Sequence, residues 1–265
     1  MATFRTSDGV RLNYADEGTG TPVVLIAGFC APLESWELQR AALAGAGYRV
    51  VGFDRRSHGG SESPAYGQRL SRHGKDLREL LVELALDDAV LVGGSMGAST
   101  IWAYYDLFGA ERVRAVVTID QTPKLVNDES WGHGFYGLNR DNVGTFFDHG
   151  IPDTGRGLRG QRLEGINRVV EALGRAPEFA DGRTPERRAL LQNHTEADWR
   201  DVIARMSVPS LFIAGRQSQL WPCEHAEAAA ATNRLASVVT LDDCGHAANL
   251  DQPELTNAAI LEFLK

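Results

Sequence analysis

The sequence predicts an α/β fold: a mostly parallel sheet with helices on both faces, interrupted by one inserted helical cap. Three observations lead there. Short, continuous apolar runs of the kind that form parallel strands buried on both faces recur along the chain. Helix-like segments long enough to act as crossovers separate most of them. That rhythm stops between about residues 121 and 206, where no such run occurs and Gly, Asp, Asn and Arg are frequent.

The elements follow in order. Val10 to Ala15 roughly alternates apolar and polar residues, as a half-exposed strand does, whereas Val23-Val24-Leu25-Ile26-Ala27 is continuously apolar. Runs of the second kind return at Arg49 to Phe53, Ala89 to Gly93, Val113 to Ile119, Ser210 to Ala214 and Ser237 to Leu241. Helices are expected over Trp36 to Ala46, Ser71 to Leu86, Ala98 to Phe108, Glu224 to Thr232, and Pro253 to Leu264 with Asp251 as cap. The core then comprises 1–120 and 207–265, and 121–206 is the helical cap insertion. No repeat or low-complexity tract interrupts this plan.

Bulk properties narrow the class further. A chain of 265 residues that is 43% apolar supports one large core with an appendage, and not two independent domains. The formal charge is -8 and the 27 Lys and Arg are scattered, which lacks the footprint of a nucleic-acid binder and points to a small-molecule partner. The start has no signal-peptide pattern, and the longest apolar run (Pro22 to Leu33) is too short to span a bilayer. Cys30, Cys223 and Cys244 suggest neither a disulfide framework nor a metal site. A soluble cytoplasmic protein with no membrane partner is expected; a homodimer is compatible with the sequence but not specified by it.

The chemistry concentrates at Gly93-Gly94-Ser95-Met96-Gly97, which follows the Ala89 run and precedes a helix-like segment. G-x-S-x-G in a strand-turn-helix setting is a nucleophile elbow: the sharp turn exposes the serine, and β-carbons at Gly93 or Gly97 would strike neighbouring backbone. A glycine-flanked serine can also merely tighten a turn, and the motif alone is weak. Its context favours Ser95 as a nucleophile.

A serine hydroxyl is a poor nucleophile at neutral pH and needs an imidazole to take its proton. His246, in Cys244-Gly245-His246, is the histidine placed just after the last strand and before the last helix. The histidines at 58, 73, 149, 194 and 225 read instead as solvated or capping residues. An oxyanion needs two backbone donors, one after the serine and one in the loop after an early strand, namely Met96 and Phe29. Gly28 lets that loop approach the substrate, although it also suits an ordinary strand-end turn.

These residues resemble the α/β-hydrolase family, in particular its small capped members such as cofactor-free haloperoxidase-like esterases and lactonases. The resemblance covers nearly all of the chain outside the cap. It rests on Ile26-Ala27-Gly28-Phe29, on Phe53-Asp54-Arg55-Arg56-Ser57-His58-Gly59-Gly60-Ser61, on the elbow and on Gly245-His246. It implies an eight-stranded sheet and a Ser-acid-His triad needing no cofactor and no metal. Ala27 and Ser57 depart from the usual histidine and glycine. A larger departure follows Phe212-Ile213-Ala214, where relatives place the acid as G-x-x-D and this chain reads Gly215-Arg216-Gln217-Ser218.

The acid must then come from another loop. Asp120, which closes the preceding strand, resembles the acid position of zearalenone-lactonase-like hydrolases; it can also act only as a strand-end cap, and Glu224 is the alternative. Aromatic residues around the expected mouth, with Trp131, Tyr136 and Trp221 foremost and Trp36 beside them, are candidates to line an apolar pocket, though each taken singly suits ordinary packing. Arg55 and Arg56 more commonly brace loops than bind substrate. The expected function is hydrolysis of a carboxylic ester or lactone of a bulky small molecule through an acyl-serine. A carbon-carbon bond hydrolase or lyase would use the same three residues, and a receptor of the same fold would have lost turnover.

Overall fold

The computed structural model of the chain describes residues 1–158 and 161–265, with side chains at 161 and 162 excepted. Each of the six apolar runs read above as buried strands is a strand in it, to within a residue or so at the ends. The strands are β1 (Ala2–Arg5), β2 (Arg11–Glu17), β3 (Pro22–Ile26), β4 (Arg49–Phe53), β5 (Ala89–Gly94), β6 (Val113–Ile119), β7 (Ser210–Gly215) and β8 (Ala236–Leu241). Among the described residues these eight form one sheet in the order β1-β2-β4-β3-β5-β6-β7-β8. Only β1 and β2 run antiparallel to their neighbours. β1 was not expected, because a four-residue edge strand that buries Phe4 alone shows no periodicity.

Helices α1 (Glu37–Gly45), α2 (Leu70–Glu83), α3 (Met96–Phe108), α4 (Gln161–Leu173), α5 (Pro185–Thr195), α6 (Arg200–Arg205), α7 (His225–Ala230), α8 (Ala248–Asp251) and α9 (Pro253–Phe263) complete the order. The continuous apolar runs are explained by burial on both faces of the sheet. Val24 and Ile26 pack with Leu77, Ile101 and Trp102 on the side of α2 and α3. Val23 and Leu25 pack with Leu43 and Ile260 on the side of α1 and α9. Among the described residues no helix is long and apolar enough to cross a membrane.

The segment between β6 and β7 is less helical than expected. It carries α4, α5 and α6, but residues 121–158 are turns and loops joined by bridges such as Lys124↔Asp198 and Asn127↔Asn139. Glycines at 137, 150, 155 and 157 hold positive φ there, which interrupts any helix. Residues 159 and 160 of the expected cap lie outside the described residues. Leu125, Phe135, Leu138, Phe147 and Leu190 of this segment pack with Leu70, Met96 and Trp221 of the rest of the chain.

Asp251 does not cap the last helix as expected. It ends α8, and its Oδ2 accepts the backbone N–H of Gly245 at 2.8 Å; Gln252 precedes α9 without a side-chain cap bond. The carboxylate is drawn to the loop that carries His246 by the turn of α8.

Candidate active site

Ser95 sits between β5 and α3 with φ 51° and ψ −130°, a strained conformation for a residue with a β-carbon. The close packing expected of the elbow is present. A β-carbon on Gly97 would lie 2.1 Å from the carbonyl oxygen of Ile26, and one on Gly93 would lie 2.6 Å from the backbone nitrogen of Ala98. The sheet and α3 therefore meet with no room for a side chain, and the serine is presented at the carboxyl end of the strands.

Asp120 follows β6 and His246 follows β8, so the two approach across the end of β7. His246 Nδ1 lies 2.7 Å from Asp120 Oδ2. An ionised carboxylate only accepts hydrogen bonds, so Nδ1 carries the hydrogen and Nε2 is left as the basic nitrogen. Asp120 is fully buried. Burial by itself would raise its carboxyl, but the imidazoles of His225 and His246 outweigh that and hold its pKa down to about 2. Glu224, the alternative acid, is exposed at the start of α7, with the Cys223 thiol 3.6 Å from its carboxylate.

Sequence reasoning missed four groups around this pair. Ser218 Oγ donates to Asp120 Oδ2 at 2.6 Å, and Gly215 N donates to Oδ1 at 3.2 Å. Gln219 Oε1 accepts the backbone N–H of His246 at 2.8 Å. His225 Nε2 lies 3.6 Å from Asp120 Oδ1. Ser218 occupies the place where an aspartate was looked for, so the position was marked although its role was not.

The histidine readings also change. His58, in the loop after β4, His73 on α2, His194 on α5 and His225 at the start of α7 are buried and not solvated; only His149 is exposed among those five. His58 and His73 contact Arg55, which is itself buried and donates from Nε to the Ala27 carbonyl at 3.1 Å and from Nη2 to the Gly28 carbonyl at 2.8 Å. Arg56 is paired with Asp76 and Asp8. Both arginines are bonded within the protein, as braces are.

Ser95, His246, Gly28 and Phe29 line one cavity of about 440 Å³. Gly28 stands against the serine: a β-carbon there would be 3.1 Å from Ser95 Cβ. Met96, as the first residue of α3, has a backbone N–H with no acceptor inside the helix. Among the described residues no hydrogen bond joins Ser95 Oγ to His246, and such contacts commonly tighten only when a substrate is bound. No group of three or more His, Cys, Asp or Glu among the described residues is disposed to hold a metal ion.

Of the expected pocket aromatics, Trp36 lines this cavity and Trp131, Tyr136 and Trp221 do not. Trp131 is buried, with Nε1 donating to Thr122 Oγ1 at 3.1 Å and Arg200 over its ring. Tyr136 lies under Arg156, and Trp221 packs edge-on against His246 at 5.1 Å between ring centroids, behind the imidazole. Each found a partner within the protein that sequence could not reveal. Trp36 shares the wall with Ile119, Ile151, Leu158, Phe179 and Leu250, among others.

A single sheet of this order, with a strained serine after its fifth strand and a histidine after its eighth, is the architecture of a hydrolase class. The profile of the alpha/beta hydrolase family matches residues 23–259, and the chain belongs to that family. It is 28% identical to the non-heme haloperoxidase of Rhodococcus erythropolis, with 100% of each chain covered. It is 25% identical to 3-oxoadipate enol-lactonase 2 of Acinetobacter baylyi, covering 98% of this chain and 95% of that one. The crystal structure of bromoperoxidase from Bacillus anthracis superposes with a TM-score of 0.83 at 28% identity, covering 99% of both chains.

Proposed function

We propose that this chain is a serine hydrolase that cleaves a carboxylic ester or lactone of a bulky, largely apolar small molecule. Ser95 is the nucleophile, His246 the general base and Asp120 the acid. The observation that carries the reading is the 2.7 Å contact from His246 Nδ1 to a buried, ionised Asp120, with Ser95 and His246 on one cavity wall.

The steps follow from that placement. Ser95 Oγ attacks the substrate carbonyl carbon while His246 Nε2 takes its proton, and Asp120 stabilises the imidazolium. The tetrahedral oxyanion accepts hydrogen bonds from the backbone N–H groups of Phe29 and Met96. Collapse expels the alcohol, protonated by His246, and leaves an acyl-serine. Water, deprotonated by His246, attacks that ester and releases the acid; with a lactone the alcohol stays tethered and the product is a hydroxy acid. The segment 121–206 acts as a cap, supplying Ile151, Leu158 and Phe179 to the cavity. The three free cysteines fit a reducing, cytoplasmic setting.

A fluorophosphonate probe is expected to label the wild type and not Ser95→Ala, and p-nitrophenyl ester turnover should fall by several decades in Ser95→Ala and His246→Ala. Labelling that persists in Ser95→Ala overturns the assignment. A panel of esters, small lactones and macrolactones then separates ester from lactone preference. Turnover of a carbon-carbon substrate alone would replace the ester reading with a carbon-carbon hydrolase or lyase.

A further inference from the structure

Two adjacent arginines follow β4, and they are buried in different ways. Arg56 meets carboxylates: Nε lies 2.6 Å from Asp76 and Nη1 lies 3.2 Å from Asp8. Arg55 is equally enclosed, yet among the described residues no carboxylate lies within ion-pair distance of it. Its donors go to two carbonyls, Ala27 at 3.1 Å and Gly28 at 2.8 Å, and to two imidazole nitrogens, His73 Nδ1 and His58 Nε2, each at 3.1 Å. Burying a cation without a counter-ion is costly, and a merely structural brace is built more cheaply from apolar residues.

The imidazoles act as neutral acceptors. Burial, with the charge of Arg55 beside them, holds His58 and His73 well below the usual histidine range. His58 Nδ1 donates to the Arg56 carbonyl at 2.8 Å, which leaves its Nε2 lone pair facing the guanidinium. Burial pushes Arg55 itself down to about 9, so it remains charged at neutral pH. One positive charge is thus held in a box of neutral acceptors beside the loop that abuts Ser95.

The acceptor that matters is the Gly28 carbonyl, because the N–H of that same peptide belongs to Phe29. A cation drawing on the oxygen of an amide withdraws electron density from its nitrogen and makes the N–H a stronger donor. We propose that Arg55 is a positioning residue of this site, orienting and polarising the Gly28–Phe29 peptide so that its N–H stabilises the oxyanion. This rests on the serine-hydrolase reading above, in which Phe29 N is an oxyanion donor.

The test uses the full chain with p-nitrophenyl butyrate, a trifluoromethyl ketone that forms a tetrahedral adduct on the serine, and a fluorophosphonate probe. In Arg55→Met, kcat should fall about 10- to 100-fold with KM within about twofold, less than the loss of a whole oxyanion donor. Affinity for the ketone should fall by the same factor, while the probe still labels one serine per chain. Arg55→Lys keeps the charge but not the fork that spans both carbonyls, and should lie between wild type and Arg55→Met. If Arg55→Met does not fold, the lysine variant carries the test through the same proportionality of kcat to ketone affinity. A folded variant whose kcat stays within about threefold of wild type, or whose kcat falls while ketone affinity does not, overturns the role of Arg55 and leaves the hydrolase reading intact. A wild type that neither takes the probe nor cleaves any ester refutes the hydrolase reading, and the role of Arg55 with it.

Discussion

Replacing Asp120 by Asn removes one charge and one acceptor at the most enclosed point of the site. Oδ2 accepts from His246 Nδ1 at 2.7 Å and from Ser218 Oγ at 2.6 Å, while Oδ1 accepts from Gly215 N at 3.2 Å. An asparagine can satisfy only one side. With its amide nitrogen toward His246, Nδ1 must become the acceptor, the hydrogen moves to Nε2, and the base facing the cavity is lost. With the amide nitrogen toward Gly215, two donors oppose each other. In both orientations the charge beside the imidazole, which in the proposed mechanism stabilises the imidazolium, is gone. The loss of kcat should reach about 10⁴-fold at pH 7, or roughly 5 kcal/mol at ~1.4 kcal/mol per decade. Saturating p-nitrophenyl ester turnover measures it, with Tm recorded to show that the variant is folded. Glu224→Gln, a change at an exposed side chain, should retain nearly full kcat. An Asp120→Asn enzyme that keeps more than about a tenth of wild-type kcat, or a larger loss in Glu224→Gln, refutes the reasoning.

Two further predictions concern stability. Gly97→Ala would put a β-carbon 2.1 Å from the Ile26 carbonyl oxygen, so β3 or α3 must shift; urea unfolding should show a loss of about 3 kcal/mol, and a loss below ~0.5 kcal/mol contradicts the packing described. Asp120 has its folded pKa depressed to about 2, below the unfolded value of ~3.9, so its ionisation stabilises the fold above about pH 4 and that contribution is lost as pH falls through 2. The stability gap between wild type and Asp120→Asn should therefore narrow by about 2 kcal/mol between pH 5 and pH 2, and a gap that does not change with pH would rule this out.

Local signals carried most of the fold. A strand buried on both faces is apolar along most of its length, so Arg49 to Phe53 and Val113 to Ile119 were legible to the residue, with Arg49 and Arg114 at less buried positions. The elbow was legible for a similar reason: a sharp strand-to-helix turn tolerates only small neighbours around Ser95, and His246 was placed by its loop after the last strand. β1, the bridged loops of 121–158 and the real role of Asp251 were not legible, because short edge pairing and side-chain partners distant in sequence leave no periodicity.

By itself, then, the sequence determined the sheet, the elbow that carries Ser95, the place of His246 after the last strand and the absence of an aspartate after Gly215. Only the tertiary structure put Asp120, and not Glu224, beside His246, because that contact depends on β6 and β8 flanking β7 so that residues 120 and 246 meet. It also decided that Trp36, and not Trp131, Tyr136 or Trp221, faces the cavity, and that Arg55 has carbonyls and imidazoles, and among the described residues no carboxylate, for partners. An aromatic ring or a guanidinium is buried by whatever surrounds it in space, and those neighbours come from segments far apart in the chain.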